Sequence, residues 1–123
     1  MSLIALAGVA HAETLRAITV EQNASYALDT DSIVQSNGKT AFAVQTIYTS
    51  KMSAPNNAPY NKAVNTFLAD CKAKTIALTG VKLMDGSGNV VFTDTPTVEQ
   101  APVMKPEPNS LSAKIMQAGC SQK

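Results

Sequence analysis

The sequence predicts an α+β domain in which an antiparallel β-sheet is followed by one C-terminal helix. Segments of strand composition alternate with Gly, Asn and Pro turns over most of the chain, and one helical stripe follows a proline-rich stretch near its end. The only two cysteines, Cys71 and Cys120, lie at the end of a predicted strand and just after the predicted helix. A disulfide between them would tether the helix to the sheet.

Short β-branched and aromatic segments define the predicted strands. Residues 62–71 also fit a helical period, but Val64, Thr66 and the flanking turns favour a strand there. The predicted strands are Leu15–Val20 and residues 25–28, 33–35, 40–48, 62–71, 75–83 and 90–92.

An Asn-Gly pair at residues 37–38 predicts a β-hairpin. These residue types suit the two left-handed positions of a type I′ turn. With a two-residue loop, Gln35 is expected opposite Thr40 and Ile33 opposite Phe42.

A second hairpin is predicted around a loop at residues 86–89, which places Leu83 opposite Phe92. The spacing of residues 85–89 is similar to the start of a calcium loop, but the glycine and glutamate required later in such a loop are missing. We therefore expect a plain turn. Residues 54–61 contain two prolines and are expected to form a loop.

The C-terminal helix is predicted over residues 111–117. Four prolines between residues 96 and 108 make the preceding segment extended, and either Asn109 or Ser110 can cap the helix. Gly119 is expected to end it. The stripe predicted to pack on the sheet consists of Leu111, Ile115 and Ala118.

Residues 1–12 are interpreted as the remnant of a signal peptide, and residues 13–123 as a single domain. The apolar run closes on Ala10-His11-Ala12, the small-residue pattern that signal peptidase recognises, and is too short to span a bilayer. No cysteine follows the run, so a lipid anchor is not expected at this point. In an exported chain, Cys71 and Cys120 are expected to form a disulfide.

Composition excludes several functional classes. Ten basic and nine acidic residues give a net charge of +1, which provides no surface for nucleic acid or anionic lipid. The only histidine, His11, lies in the segment expected to be removed, so a histidine-dependent enzyme is not expected. We expect no catalytic residues, no metal site and no cofactor.

Two groups of charged residues are weaker candidates for a site. Asp29 and Asp31 could act as a cation or acid-base pair, although carboxylates beside a strand end more often bond to the local backbone. A basic patch for an acidic partner could form around the Cys71 strand, but such lysines are more often a solvated face. These lysines are Lys62, Lys72, Lys74 and Lys82.

The chain resembles the surface-adhesin protein E family of exported bacterial domains. The resemblance rests on residues 28–33 (LDTDSI) before the Asn-Gly turn, Asp70-Cys71 beside a strand, the turn at residues 85–91, and residues 108–110 (PNS) before a helix that closes on Cys120. It implies an antiparallel sheet of about six strands, with the C-terminal helix tethered across one face by the disulfide. No binding residue is carried over.

The resemblance implies a non-enzymatic, exported protein-binding module located in the periplasm, at the cell surface or outside the cell. The alternative is a periplasmic structural or accessory domain that does not bind host proteins. In either case the expected partner is a protein, contacted through the sheet surface or a strand edge, and a second copy of the chain is one candidate.

We predict that the mature protein begins at Glu13, because Ala10 and Ala12 occupy the positions read by signal peptidase. N-terminal sequencing of protein exported by its native host measures this directly. A mature chain that retained residues 5–12 would contradict the prediction.

Overall fold

The computed structural model describes residues 14–121, which form one six-stranded antiparallel sheet and one helix, α1. The strands follow each other in space in the order in which they occur in the chain. The predicted fold class is therefore confirmed, whereas residues 1–12 and the expected start at Glu13 lie outside the described residues. The elements are β1 (Leu15–Val20), β2 (Ala24–Ser36), β3 (Lys39–Ser53), β4 (Pro59–Asp70), β5 (Thr75–Met84), β6 (Val90–Asp94) and α1 (Leu111–Cys120).

Sequential antiparallel pairing places alternate turns at opposite ends of the sheet. We call the end with the β2–β3 and β4–β5 turns the disulfide end, because Cys71 directly follows β4 there. The end with the β1–β2, β3–β4 and β5–β6 turns is called the tyrosine end. Residues 62–71, which were ambiguous in the sequence, lie almost entirely within β4.

The β2–β3 hairpin has the predicted turn, with Asn37 and Gly38 at φ 54° and 79°. Gln35 lies opposite Thr40, as expected. The pairing expected between Ile33 and Phe42 is wrong, because the register of β2 shifts between Asp29 and Val34.

The loop predicted at residues 54–61 is too long. β3 continues to Ser53, and β4 begins at Pro59, with Ser53 paired to Pro59 and Met52 to Tyr60. Proline is tolerated as the first residue of a strand because its missing N–H is not needed there. The connecting loop is therefore residues 54–58 alone.

The main core lies between the sheet and α1, on the side that we call the helix face. It contains Phe42, which is 2% exposed and stacks on Phe67 with ring centroids 5.8 Å apart. The predicted stripe packs here: Ile115 is buried, and Leu111 and Ala118 are half-buried against the cluster. The buried members are Leu28, Phe42, Val44, Ala69, Ile76 and Ile115.

A second core cluster lies nearer the tyrosine end and is built on Ala54, Ala63 and Leu83. The β3–β4 loop is tied to β6 by the side-chain amide of Asn56, which donates to the carbonyl oxygen of Val91 at 2.9 Å. Leu83 lies opposite Phe92, as the sequence predicted.

α1 begins at the predicted cap but ends later than expected. Ser110 Oγ accepts the N–H of Ala113 at 3.1 Å. Gly119 does not end the helix; it lies within the last turn and is buried. A Cβ at this position would collide with the ring of Phe42. Gly119 therefore allows the helix to pack closely against the sheet and does not terminate the helix.

Cys71 and Cys120 form the predicted disulfide, with their Cα atoms 5.7 Å apart. The bond joins the end of β4 to the last residue of α1. It closes a sequence separation of 49 residues, which in the chain-entropy model contributes on the order of 4 kcal/mol.

We predict that Gly119→Ala lowers the free energy of unfolding by up to about 2 kcal/mol. Overpacking of the Phe42 ring by the added methyl group costs as much as about 3 kcal/mol, and the gain in helix propensity offsets about 1 kcal/mol of this. Denaturant titration measures the change. The matched control is Gln117→Ala on the exposed side of the same helix, expected to change stability by less than about 0.5 kcal/mol. A Gly119→Ala variant as stable as the control would contradict the packing argument.

We predict that replacing both cysteines by serine lowers stability by a few kcal/mol, on the order of the chain-entropy value, and leaves the sheet in place. The ladder pairs β1 to β6 without using either sulfur atom. Denaturant titration measures stability, and far-UV circular dichroism reports the sheet. An unchanged midpoint, or loss of the β signal in the absence of denaturant, would contradict this expectation.

Candidate functional site

β1 forms one edge of the sheet, paired only with β2 among the described strands. Its side chains are largely exposed, with Leu15 at 45% and Val20 at 80%. The N–H of Thr30 donates to the carbonyl oxygen of Thr14 at 2.9 Å. Because hydrogen-bonded pairs alternate in an antiparallel ladder, the amide and carbonyl of the next residue, Leu15, point away from the sheet. This edge can accept a further strand.

The opposite edge is partly closed. β6 covers only the tyrosine end of β5. Further along, Met104 exchanges two hydrogen bonds of 2.9 Å with Ile76, so part of the proline-rich segment occupies the outer side of β5. Prolines on either side of Met104 limit further pairing there. The two edges are therefore not equivalent.

The side of the sheet opposite α1, which we call the open face, carries a row of apolar side chains near the disulfide end. Val34 is 59% exposed and Leu68 is 38% exposed. Register places Val34, Ala41, Leu68 and Ala77 side by side on four neighbouring strands. This row is a second surface for protein contact.

The Asp29 carboxylate bonds to the local backbone, and Asp31 takes part through its backbone N–H. Asp29 Oδ1 accepts the N–H of Asp31 at 3.0 Å. Ser32 Oγ donates to the carbonyl oxygen of Asp29 at 2.6 Å and accepts the N–H of Ala43 at 2.8 Å. These contacts stabilise the irregular register of β2; the side chains that bond to the local backbone here are those of Asp29 and Ser32.

The four lysines do not form a single patch. Lys62 and Lys82 lie on the open face toward the tyrosine end, where register makes them diagonal neighbours. Lys72 and Lys74 belong to the β4–β5 turn at the disulfide end. The four lysines considered as a basic patch around the Cys71 strand are thus divided between two ends of the sheet.

Asp85 organises the β5–β6 turn. Its Oδ1 accepts the N–H of Ser87 at 2.9 Å and of Asn89 at 3.0 Å. The Asn89 N–H is the main cause that holds the pKa of the Asp85 carboxyl below its usual value. Within residues 14–121, no three His, Cys, Asp or Glu side chains are grouped to hold a metal ion. The turn has the chemistry of an ordinary Asx turn.

The grouping of the three tyrosines was not predicted from the sequence. Tyr48 and Tyr60 pack edge to face with ring centroids 5.8 Å apart, and Tyr26 lies close enough to act electrostatically on Tyr48. Burial is the main cause that raises the pKa of Tyr48, and the hydroxyls of Tyr60 and Tyr26 add to it. The alternation of residues along β2 and β3 was the signal that could have placed Tyr26 and Tyr48 on one face. The position of Tyr60 was not predictable in this way, because the predicted strand began at residue 62 and β4 begins at Pro59.

The model of the surface-adhesin protein E family matches residues 15–121. The fold is similar to that of Haemophilus influenzae protein E, with a TM-score of 0.61 at 12% identity over 89% of this chain and 92% of that one. A second crystal form of that protein gives a TM-score of 0.58 at 13% identity, covering 87% and 96% of the two chains. No curated protein sequence matches the chain.

The structure describes no helix long and apolar enough to cross a membrane. The family match covers all six strands, the disulfide and the helix. The resemblance stated from the sequence is confirmed, and the chain belongs to the surface-adhesin protein E family.

Proposed function

We propose that this chain is an exported, non-enzymatic domain that binds a protein partner through the outer edge of β1. The observation that carries the proposal is the outward-pointing amide and carbonyl of Leu15 on β1, a continuous edge strand, whereas the opposite edge is divided between the short strand β6 and the bridge from Ile76 to Met104. An extended segment of the partner would add a seventh strand there.

Side chains along β1 suit such pairing. Main-chain hydrogen bonds provide affinity in strand addition, and side chains next to the new strand provide selectivity. Leu15 and Val20 offer exposed apolar surface, and Arg16 lies between them in sequence. The apolar row on the open face, from Val34 to Ala77, is available for further contact.

Export is supported by two independent features. Residues 1–12 have the pattern of a signal-peptide remnant, which leaves residues 13–123 as the mature domain. The Cys71–Cys120 disulfide is typical of proteins that fold in an oxidising compartment. Within this proposal the domain acts in the periplasm, at the cell surface or outside the cell.

Two alternative partners follow from the same edge. A periplasmic protein would make the chain an accessory domain with no role in host adhesion. A second copy of the chain could pair β1 with β1 and form a symmetric dimer, because an exposed edge strand is a template for an identical one.

We predict that Leu15→Pro weakens partner binding about tenfold or more, because it removes an outward N–H from the β1 edge. The control is Leu15→Ala, which removes the side chain and keeps the amide. Both variants and the parent are immobilised and tested against purified extracellular-matrix proteins and a periplasmic extract. Multi-angle light scattering measures dimerisation, and thermal unfolding checks folding.

Capture of a matrix protein that is lost only in the proline variant supports adhesion through β1. Capture of a periplasmic protein alone supports the accessory domain. Equal binding by the proline variant, the alanine variant and the parent would contradict binding through the β1 edge. Turnover of a small molecule by the purified domain, abolished by mutating one polar cluster, would contradict the non-enzymatic assignment.

A further inference from the structure

A cleft of about 480 Å³ opens at the tyrosine end of the sheet, between the β1–β2 turn and the last part of β3. Its volume is within the range of small-molecule sites, about 300–1,000 Å³. Tyr26 and Tyr48 line it from the helix face, on the same side of their strands as Leu28 and Val44. The cleft is also lined by Glu21, Gln22, Asn23 and Met52.

The walls of the cleft are held by backbone hydrogen bonds. The N–H of Glu21 donates to the carbonyl oxygen of Ala24 at 2.8 Å, which closes the β1–β2 turn. Both the N–H and the hydroxyl of Thr49 donate to the carbonyl oxygen of Asn23, at 3.0 and 3.2 Å. The turn is thus fastened to β3, and the cleft is formed before any ligand arrives.

The surface of the cleft combines aromatic rings with neutral hydrogen-bonding groups. Tyr48 is braced by its edge-to-face contact with Tyr60. The Tyr48 hydroxyl is protonated at neutral pH, as a tyrosine ordinarily is, and can donate; burial raises its pKa further. Gln22 and Asn23 are exposed at the rim and add amide donors and acceptors.

Charge in the cleft is already compensated. Glu21 is the acidic side chain among the lining residues, and its Oε2 lies 3.5 Å from Nζ of Lys114 on α1. The same oxygen accepts a hydrogen bond from Thr19 at 3.1 Å. A cationic ligand would have to compete with Lys114, and an anionic ligand would face the carboxylate. The site therefore favours an uncharged ligand.

We propose that this cleft binds a neutral saccharide. A pyranose ring presents an apolar face of C–H groups that can pack on the rings of Tyr26 and Tyr48 and on the Met52 thioether. Its hydroxyls both donate and accept, which matches the phenols and amides that line the cleft. This site is separate from the β1 edge, so it adds a ligand class to the proposed protein contact and does not depend on it.

Intrinsic fluorescence gives a direct test, because the chain contains no tryptophan and its three tyrosines form this group. The domain is titrated separately with maltotriose, chitotriose and lactose. We expect a saturable change in tyrosine emission with at least one of them. In calorimetry with that sugar, Tyr48→Ala should weaken binding about tenfold.

Gln22→Ala provides a second variant that leaves the packed rings intact and should also weaken binding. The control is Lys51→Ala. Lys51 lies in β3 between the cleft residues Ser50 and Met52 but lines a different cavity, so this variant should bind the sugar as the parent does. Saturation by none of the three sugars overturns the proposal, as does parental affinity in both Tyr48→Ala and Gln22→Ala. Saturation by N-acetyl-argininamide and by no sugar would also overturn it, in favour of a site for cationic side chains.

Discussion

The contact between α1 and the ring of Phe42 is the interaction on which the rest of the structure depends. A ten-residue helix is too short to be stable alone, so α1 exists because it packs on the sheet. Gly119 permits the close approach, Ile115 is buried beside it, and the disulfide holds the last turn in place. Without this contact, the core around Leu28 would be exposed to water.

One short helix cannot cover both faces of a six-stranded sheet, and the sequence deals with the remaining surface in two ways. Toward the tyrosine end, the β3–β4 loop folds onto the second core cluster and buries Ala54. On the open face, small side chains such as Ala41, Ala43 and Ala77 limit the apolar area that remains in contact with water. Val34, Ile47 and Leu68 are large apolar side chains that remain exposed there.

The connection from β6 to α1 has a structural role besides joining them. Its backbone pairs with β5 at Met104, while its four prolines limit propagation of a ladder. That edge is thereby divided between the short β6 and the bridge at Met104, whereas β1 alone forms the other edge. This inequality, together with the cleft lined by Tyr26 and Tyr48, gives the domain two distinct surfaces on a rigid scaffold.

Signals that act over a few residues were sufficient to predict several features. The Asn37-Gly38 turn follows from the φ values that these residues tolerate, and the Ser110 cap from the unpaired amides of a helix start. Cys71 and Cys120 were the only cysteines available to each other. The pairing of Gln35 with Thr40 was also predictable, because a two-residue turn sets the register of the strands next to it.

The sequence alone thus determined the fold class, the disulfide and the positions of most strands, because periodicity, turn chemistry and cysteine pairing are local or exclusive signals. Tertiary structure decided the features that depend on partners distant in the chain. Ser32 and Asp29 shift the register of β2, Pro59 begins a strand because Ser53 lies opposite, and Gly119 remains helical because Phe42 packs against it. The tyrosine cleft likewise exists only after β2, β3 and β4 are aligned, since no local pattern specifies which side chains meet across strands.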